Sequence, residues 1–189
     1  VYLTSLWAKE NHRANKIMAF RNAHKSFLYA CALTDTSVTW LKGNDSTYLS
    51  CTPTVDEIES AIKQEDSLPS AIYVTSPDYL GNIADLCTIK HMCIKYNILL
   101  LVDNAHGAYL NFIGEHPLRK GADMVCDSAH KTLSTLTGAG YLHINKNAPE
   151  ILKNNAKFAM EVFASTSPSY LILQSLDKFN SMAQSFASR

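Results

Sequence analysis

The chain has 189 residues, of which 47% are apolar, and its 17 lysines and arginines match its 17 aspartates and glutamates. That balance leaves no basic footprint for nucleic acid and no pull toward anionic lipid, while the apolar share is enough for the core of one domain. The aliphatic run "ILLLV" at 98–102 is far too short to span a bilayer, and the opening "VYLTSLWAKENHR" lacks the basic, apolar and cleavage regions of a signal peptide.

Residue 1 falls inside an apparent helix with no capping residue before it. Short strand-like runs follow at "KIMAF" (16–20) and "SVTWL" (37–41). "TVDEIESAIKQ" (54–64) then predicts a helix, with Thr54 and Glu57 spaced as a capping box and Val55, Ile58 and Ile62 on one face. "AIYVT" (71–75) reads as a strand, "IADLCTIKHMCIKYN" (83–97) as a helix ending at Asn97, and "ILLLV" as the next strand. After residue 102 the rhythm changes: "ADMVCDS" and "GAGYLHI" are strand-like but separated only by a loop, which favours an antiparallel pair. The final "SLDKFNSMAQSFASR" reads as a helix with no stop signal. The β-α-β alternation predicts a three-layer α/β/α sandwich on a mostly parallel, mixed sheet. Residues 1–189 are expected to form one domain, cut at both ends from a longer protein. Cys31, Cys51, Cys87, Cys93 and Cys126 include no CxxC pair, which suits reduced cytoplasmic thiols better than a disulfide framework or a zinc knuckle.

In open α/β sheets, ligands bind beyond the carboxyl ends of the strands. The segments that follow the strands are "RNAHKS", "SPDYLGN", "DNAHGAY" and "DSAHKT", and they are expected to converge. Asp103 places a carboxylate at the mouth of an apolar strand, either as a turn cap or as the partner of a buried cation. His106 could stack, bind metal or satisfy a loop carbonyl, and His24 shares that ambiguity. Lys25 reads as solvated, with Arg21 and Asn22 holding the turn. Lys131 follows His130, has hydroxyls at Ser128 and Thr132, and precedes Leu133, Leu136 and Gly138. The sequence leaves two readings for it: a surface loop lysine, or an amine partly desolvated and so available as a neutral nucleophile. Asp103, His106 and His130 also suggest a metal hydrolase, but they lack a tight ligand spacing, and no metal is expected. Taken together, a lysine, a strand-end carboxylate, a stackable imidazole and nearby hydroxyls are what pyridoxal phosphate requires.

"FRNAHKS", "YVTSPDYLGNIADL", "VDNAHGAYLNF", "GADMVCDSAHKTLSTLTGAGYLHI" and "STSPSYLILQSLD" together resemble the major domain of the Orn/Lys/Arg decarboxylases, in order and without large gaps over about 16–178. These are pyridoxal-phosphate enzymes of the aspartate-aminotransferase fold. The resemblance implies a cytoplasmic lyase of polyamine metabolism that decarboxylates lysine, ornithine or arginine and works as a homodimer or higher homo-oligomer. It implies Lys131 as the Schiff-base lysine, Asp103 as partner of the ring nitrogen and His24 stacked on the ring. It places His106 near the ring and its O3′ side, and Ser128 and His130 on the phosphate side. Thr166 would belong to the site of a neighbouring subunit. The family's phosphate loop would precede Val1 and its C-terminal domain would follow residue 189. The usual "SPTYYG" is "SPDYLG" here, which would place Asp78 and Leu80 near the cofactor edge and could alter substrate preference. Other reactions of the same cofactor class (aminotransferase, desulfurase, aldolase) and a catalytically degenerate paralogue are the alternatives.

Overall fold

Alternation along each short strand sorts its side chains between two helical layers. In β1 (Lys16–Phe20), Ile17 and Ala19 face one way, Met18 and Phe20 the other, and all four are buried. The same division holds in β4 (Leu99–Asp103), where Leu99 and Leu101 oppose Leu100 and Val102. The computed structural model describes residues 1–43, 47 and 49–186. Its sheet has the order β2-β1-β3-β4-β5-β6, with β2 at Ser37–Leu41, β3 at Ala71–Thr75, β5 at Met124–Asp127 and β6 at Tyr141–Ile144. β1 to β5 are parallel and β6 runs antiparallel to β5, the pairing the sequence favours.

On one face α1 (Tyr2–Glu10), α2 (Lys25–Leu33) and α6 (Glu150–Phe163) bring Leu3, Trp7, Phe27 and Leu152 against Ile17, Leu101 and Met124. On the other, α3 (Val55–Gln64) and α4 (Leu86–Tyr96) bring Ile58, Ile62, Ile89 and Met92 against Met18, Ile72, Leu100 and Val125. A one-turn α5 (Ala129–Thr132) follows β5, and α7 (Tyr170–Phe186) ends the described chain. No helix among the described residues is long and apolar enough to cross a membrane.

Helix ends follow local chemistry. Thr54 Oγ1 accepts from Glu57 N (3.2 Å) while Glu57 Oε2 accepts from Thr54 N (2.6 Å), completing the capping box. α4 begins later than the 83–97 periodicity predicts, because the Asp85 carboxylate accepts from Thr88 N at 3.1 Å and starts the helix there. It ends at Asn97, which is left-handed at φ 52°, and Ile98 N still bonds Cys93 O. Ile98 therefore belongs to the helix end, and β4 runs one residue further than the apolar run, to include Asp103. All five cysteines are free.

Candidate active site

The strand order places the topological switch between β1 and β3: the chain leaves β1 toward β2 and returns to β3 on the opposite side. Loops at the carboxyl ends of those strands diverge and open a crevice. A cavity of about 650 Å³ lies there, on the face that carries α1, α2 and α6. Its floor is one pleat face of the sheet: Tyr73 and Thr75 from β3, Leu101 and Asp103 from β4, and Met124 and Cys126 from β5. Register explains why they share it, since Thr75 pairs with Asp103, and Asp103 with Cys126.

His24, Asp103, His106, Ser128, His130 and Lys131 all line this cavity, as the sequence predicts for the loops after β1, β4 and β5. Thr166 does not; it is exposed in the connection between α6 and α7. Lys131 is exposed rather than desolvated, because Leu136 and Gly138 lie in open turns instead of forming a dry wall. Its Nζ lies 3.2 Å from His106 Nε2. Burial, then the Lys131 charge, holds the His106 imidazole below its usual range, so at neutral pH it is the neutral partner that accepts from the ammonium. Tyr79 packs against the same imidazole, ring centroids 4.8 Å apart at 59°.

Asp103 ends β4 with both oxygens engaged. Oδ2 accepts from the Tyr73 hydroxyl at 2.8 Å and Oδ1 from Ala105 N at 3.1 Å. Burial, then the Asp103 charge, pushes the Tyr73 phenol well above its ordinary range, which keeps it a donor. His24 is the N-cap of α2: its Nδ1 accepts from Ser26 N at 3.3 Å and lies 2.9 Å from Ser26 Oγ. The cap fixes the ring while leaving it on the cavity wall. His130 Nδ1 donates to Ala139 O at 2.9 Å, so its other nitrogen donates only when the ring is doubly protonated. Cys126 faces the cavity, and desolvation, then Asp103, pushes its thiol up to about 11.

In "SPDYLGN" three consecutive side chains go three ways. Asp78 is buried and folds its own loop, with Oδ1 accepting from Leu80 N (2.8 Å) and Asn82 N (2.9 Å) and Oδ2 from Asn82 Nδ2 (2.9 Å). Leu80 points to solvent, and Tyr79 is the residue that reaches the cavity. The expected placement of Asp78 and Leu80 at the cofactor edge is therefore replaced by Tyr79. Asn22, expected to hold its turn, is buried with an amide that makes no hydrogen bond among the described residues.

Behind the cavity floor, buried Asp127 accepts at Oδ2 from His116 Nε2 (3.1 Å) and His143 Nε2 (3.0 Å), and at Oδ1 from Asn104 Nδ2 (2.7 Å). The atoms of this trio lie within 4.8 Å of one another, a spacing a metal ion can use. His116 Nδ1, however, accepts from Leu118 N at 3.3 Å, so its Nε2 carries the proton and donates. The trio is a hydrogen-bonded clamp. Burial alone would raise the Asp127 carboxyl, but bonds from His116, His143 and Asn104 outweigh it and hold the group well below the usual carboxylate range. Asp127 immediately precedes Ser128, so the clamp anchors the turn that carries Lys131. Sequence reasoning missed it, and also missed Tyr73, Thr75 and Tyr79; strand-face alternation counted back from Asp103 would have found Tyr73.

The sequence profile of the Orn/Lys/Arg decarboxylase major domain matches residues 7–189. The chain belongs to the Orn/Lys/Arg decarboxylase family. It is 35% identical over 167 residues to the uncharacterised protein YaaO of Bacillus subtilis, covering 85% of this chain and 34% of that one. It is 30% identical over 168 residues to an arginine decarboxylase of Bacillus cereus, covering 86% and 36%. The chain thus spans about a third of the length of these relatives. Among solved structures, a putative aromatic amino acid β-eliminating lyase/threonine aldolase from Exiguobacterium sp. superposes with a TM-score of 0.71 at 16% identity, over 97% of this chain and 51% of that one. A SepCysS in complex with a SepCysE domain gives 0.64 at 14%, over 94% and 48%. At those identities the likeness shows the fold, that of the pyridoxal-phosphate enzymes of fold type I.

The family's cofactor is pyridoxal phosphate. The residues present fit it. The cavity volume suits a molecule of that size. Thr75 Oγ1, buried without a partner among the described residues, lies on the floor beside Asp103, where a polar ring substituent would satisfy it. An amine at the mouth and a carboxylate on the floor complement an aldehyde and a basic ring nitrogen.

Proposed function

We propose that this protein is a pyridoxal-phosphate-dependent decarboxylase of a basic amino acid (lysine, ornithine or arginine), with Lys131 as the covalent anchor of the cofactor aldehyde. The observation that carries the reading is the single cavity that holds Lys131 paired with His106 at one side and Asp103 on its floor. The arginine decarboxylases among the relatives favour the substrate class.

When bound, pyridoxal phosphate supplies an aldehyde for amines and a protonated ring that takes up the electrons left by departing carbon dioxide. The chain's residues hold and direct that chemistry. His106 accepts the proton from the Lys131 ammonium and frees the amine for attack. Asp103 would hold a proton on the ring nitrogen through its negative charge. The His24 ring, fixed by its capping bond, would cover one face of the cofactor, while Ser128 and His130 would lie on its phosphate side. Thr166 acts, on this reading, at the site of a second subunit. Phe158, Phe163, Tyr170 and Leu171, exposed along α6 and α7, give a second copy an apolar surface to cover, in keeping with a homodimer.

The test is carbon dioxide release by the purified full-length protein, supplied with pyridoxal phosphate, from lysine, ornithine and arginine in turn. Release from one of the three is expected. A normal cofactor absorption band with no release from any of them would move the assignment to another reaction of the same cofactor class.

A further inference from the structure

The cavity floor contains a phenol that packing alone does not require. Tyr73 lies in the apolar strand β3, and its ring stacks on Phe27 with centroids 4.1 Å apart at 27°. Phe27 in turn meets Trp40 edge-on at 6.2 Å and 76°. Phenylalanine would serve this aromatic stack equally well. What tyrosine adds is one oxygen, and its hydrogen bond goes to Asp103 Oδ2 at 2.8 Å.

Register makes that contact possible. Tyr73 pairs with Leu101 and Thr75 with Asp103, so Tyr73 and Asp103 share a pleat face two residues out of step, within reach of a long side chain. A terminal carboxylate turns easily about its last torsion, which is broad and nearly two-fold. Ala105 N on Oδ1 fixes one oxygen, and the Tyr73 hydroxyl on Oδ2 fixes the other. Two donors on two oxygens set the carboxylate plane. The ring that carries the second donor is itself wedged against α2, the helix whose N-cap is His24. One buttress thus supports both the wall contact and the floor contact.

We propose that Tyr73 is a positioning residue for the cofactor, its hydroxyl holding the Asp103 carboxylate aimed at the pyridine nitrogen. The proposal rests on the assignment of Asp103 made above. It differs from it in what must change when a single oxygen is removed from a neighbouring strand.

The test uses cofactor-free full-length protein titrated with pyridoxal phosphate, reading dissociation constant and absorption spectrum for wild type, Tyr73→Phe, Asp103→Ala and the double variant. Near-ultraviolet circular dichroism of each cofactor-free protein reports whether the fold is kept. Tyr73→Phe is expected to weaken binding about tenfold, equivalent to about 1.4 kcal/mol, and to move the visible band toward that of Asp103→Ala. Because Tyr73 acts through Asp103, the phenylalanine is expected to have no further effect in the Asp103→Ala background. Wild-type affinity and spectrum in Tyr73→Phe would overturn the positioning role, and so would an equal loss in both backgrounds, which marks a structural effect alone. If Asp103→Ala itself binds and absorbs like wild type, the Asp103 assignment fails, and the role of Tyr73 fails with it. Those two failures are therefore told apart by the Asp103→Ala protein.

Discussion

A lysine that attacks an aldehyde must first lose a proton, and the only imidazole hydrogen-bonded to Lys131 among the described residues is that of His106. His106→Phe should preserve the contact with Tyr79 but slow cofactor attachment at neutral pH by roughly 10²-fold, the usual scale of a lost proton acceptor. Following the growth of the visible band after mixing measures this. Burial and the Lys131 charge lower the imidazole from its ordinary value, so its accepting form prevails at pH 7 and is lost only in acid. The gap in attachment rate between wild type and His106→Phe should accordingly be widest at neutral pH and close in acid as the imidazole is protonated; a gap indifferent to acid would remove His106 from the step. Asp103→Ala should leave the cofactor attached and the enzyme nearly inactive. A buried charge deprived of its partner typically costs about 3–5 kcal/mol, and steady-state decarboxylation compared with cofactor content checks this. That Lys131, Asp103, His24, His106, Ser128 and His130 would share one cavity was legible because each lies at or just past the carboxyl end of a strand, where parallel sheets open toward ligands. Tyr73 was not, because an aromatic residue in an apolar strand looks like core. The exposure of Lys131 was not legible either: nearby leucines in sequence say little about which way a turn opens.

At the scale of elements, the Lys131 turn is held by what lies behind it. Asp127→Asn keeps the size of the side chain but removes the charge that both His116 and His143 address. A loss of about 1–3 kcal/mol in stability is expected, read from the urea midpoint. The folded-state pKa of Asp127 lies below the unfolded value near 3.9. The clamp's contribution is therefore complete above about pH 4 and is lost as pH falls toward the folded-state value. Wild type and Asp127→Asn should converge in stability only at the acid end; convergence at pH 7 would contradict the clamp. A second constraint sits beside His106. A Cβ on Gly107 would meet Asn104 Oδ1, Pro77 Cδ and Leu110 Cδ1, two of them in rigid surroundings. Gly107→Ala should cost about 1–3 kcal/mol of stability and displace the His106 loop, with cofactor affinity falling in parallel. The strands and the capping box at Thr54 could be read in advance, because short apolar runs bounded by turns and cap spacing are local signals. Strand limits moved by a residue at β4, since the helix-end bond from Ile98 N to Cys93 O claims a residue apolar enough for either element. The clamp escaped notice because His116, Asp127 and His143 are brought together only by the antiparallel return of β6 onto β5.

For the molecule as a whole, the parallel sheet and its switch point account for a cavity lined by His24, Asp103, His106, Ser128, His130 and Lys131. The mixed sheet was legible from the β-α-β rhythm and from a connection before β6 with no crossover-length helical pattern; the depth of the cavity was not, because it depends on how α1, α2 and α6 stand off the strand ends. Tyr170 is 86% exposed and Leu171 68%, so Leu171→Asp in the full-length protein should shift light-scattering mass toward the monomer if that face joins two copies. Everything proposed for this site depends on Lys131 carrying the cofactor. That role is tested most directly by reducing the cofactor-loaded protein with borohydride, digesting it and locating the pyridoxyl group by mass spectrometry. The label is expected on Lys131 and is expected to disappear in Lys131→Ala. A label on Lys25, the lysine that follows β1, or an unchanged label in Lys131→Ala would contradict it.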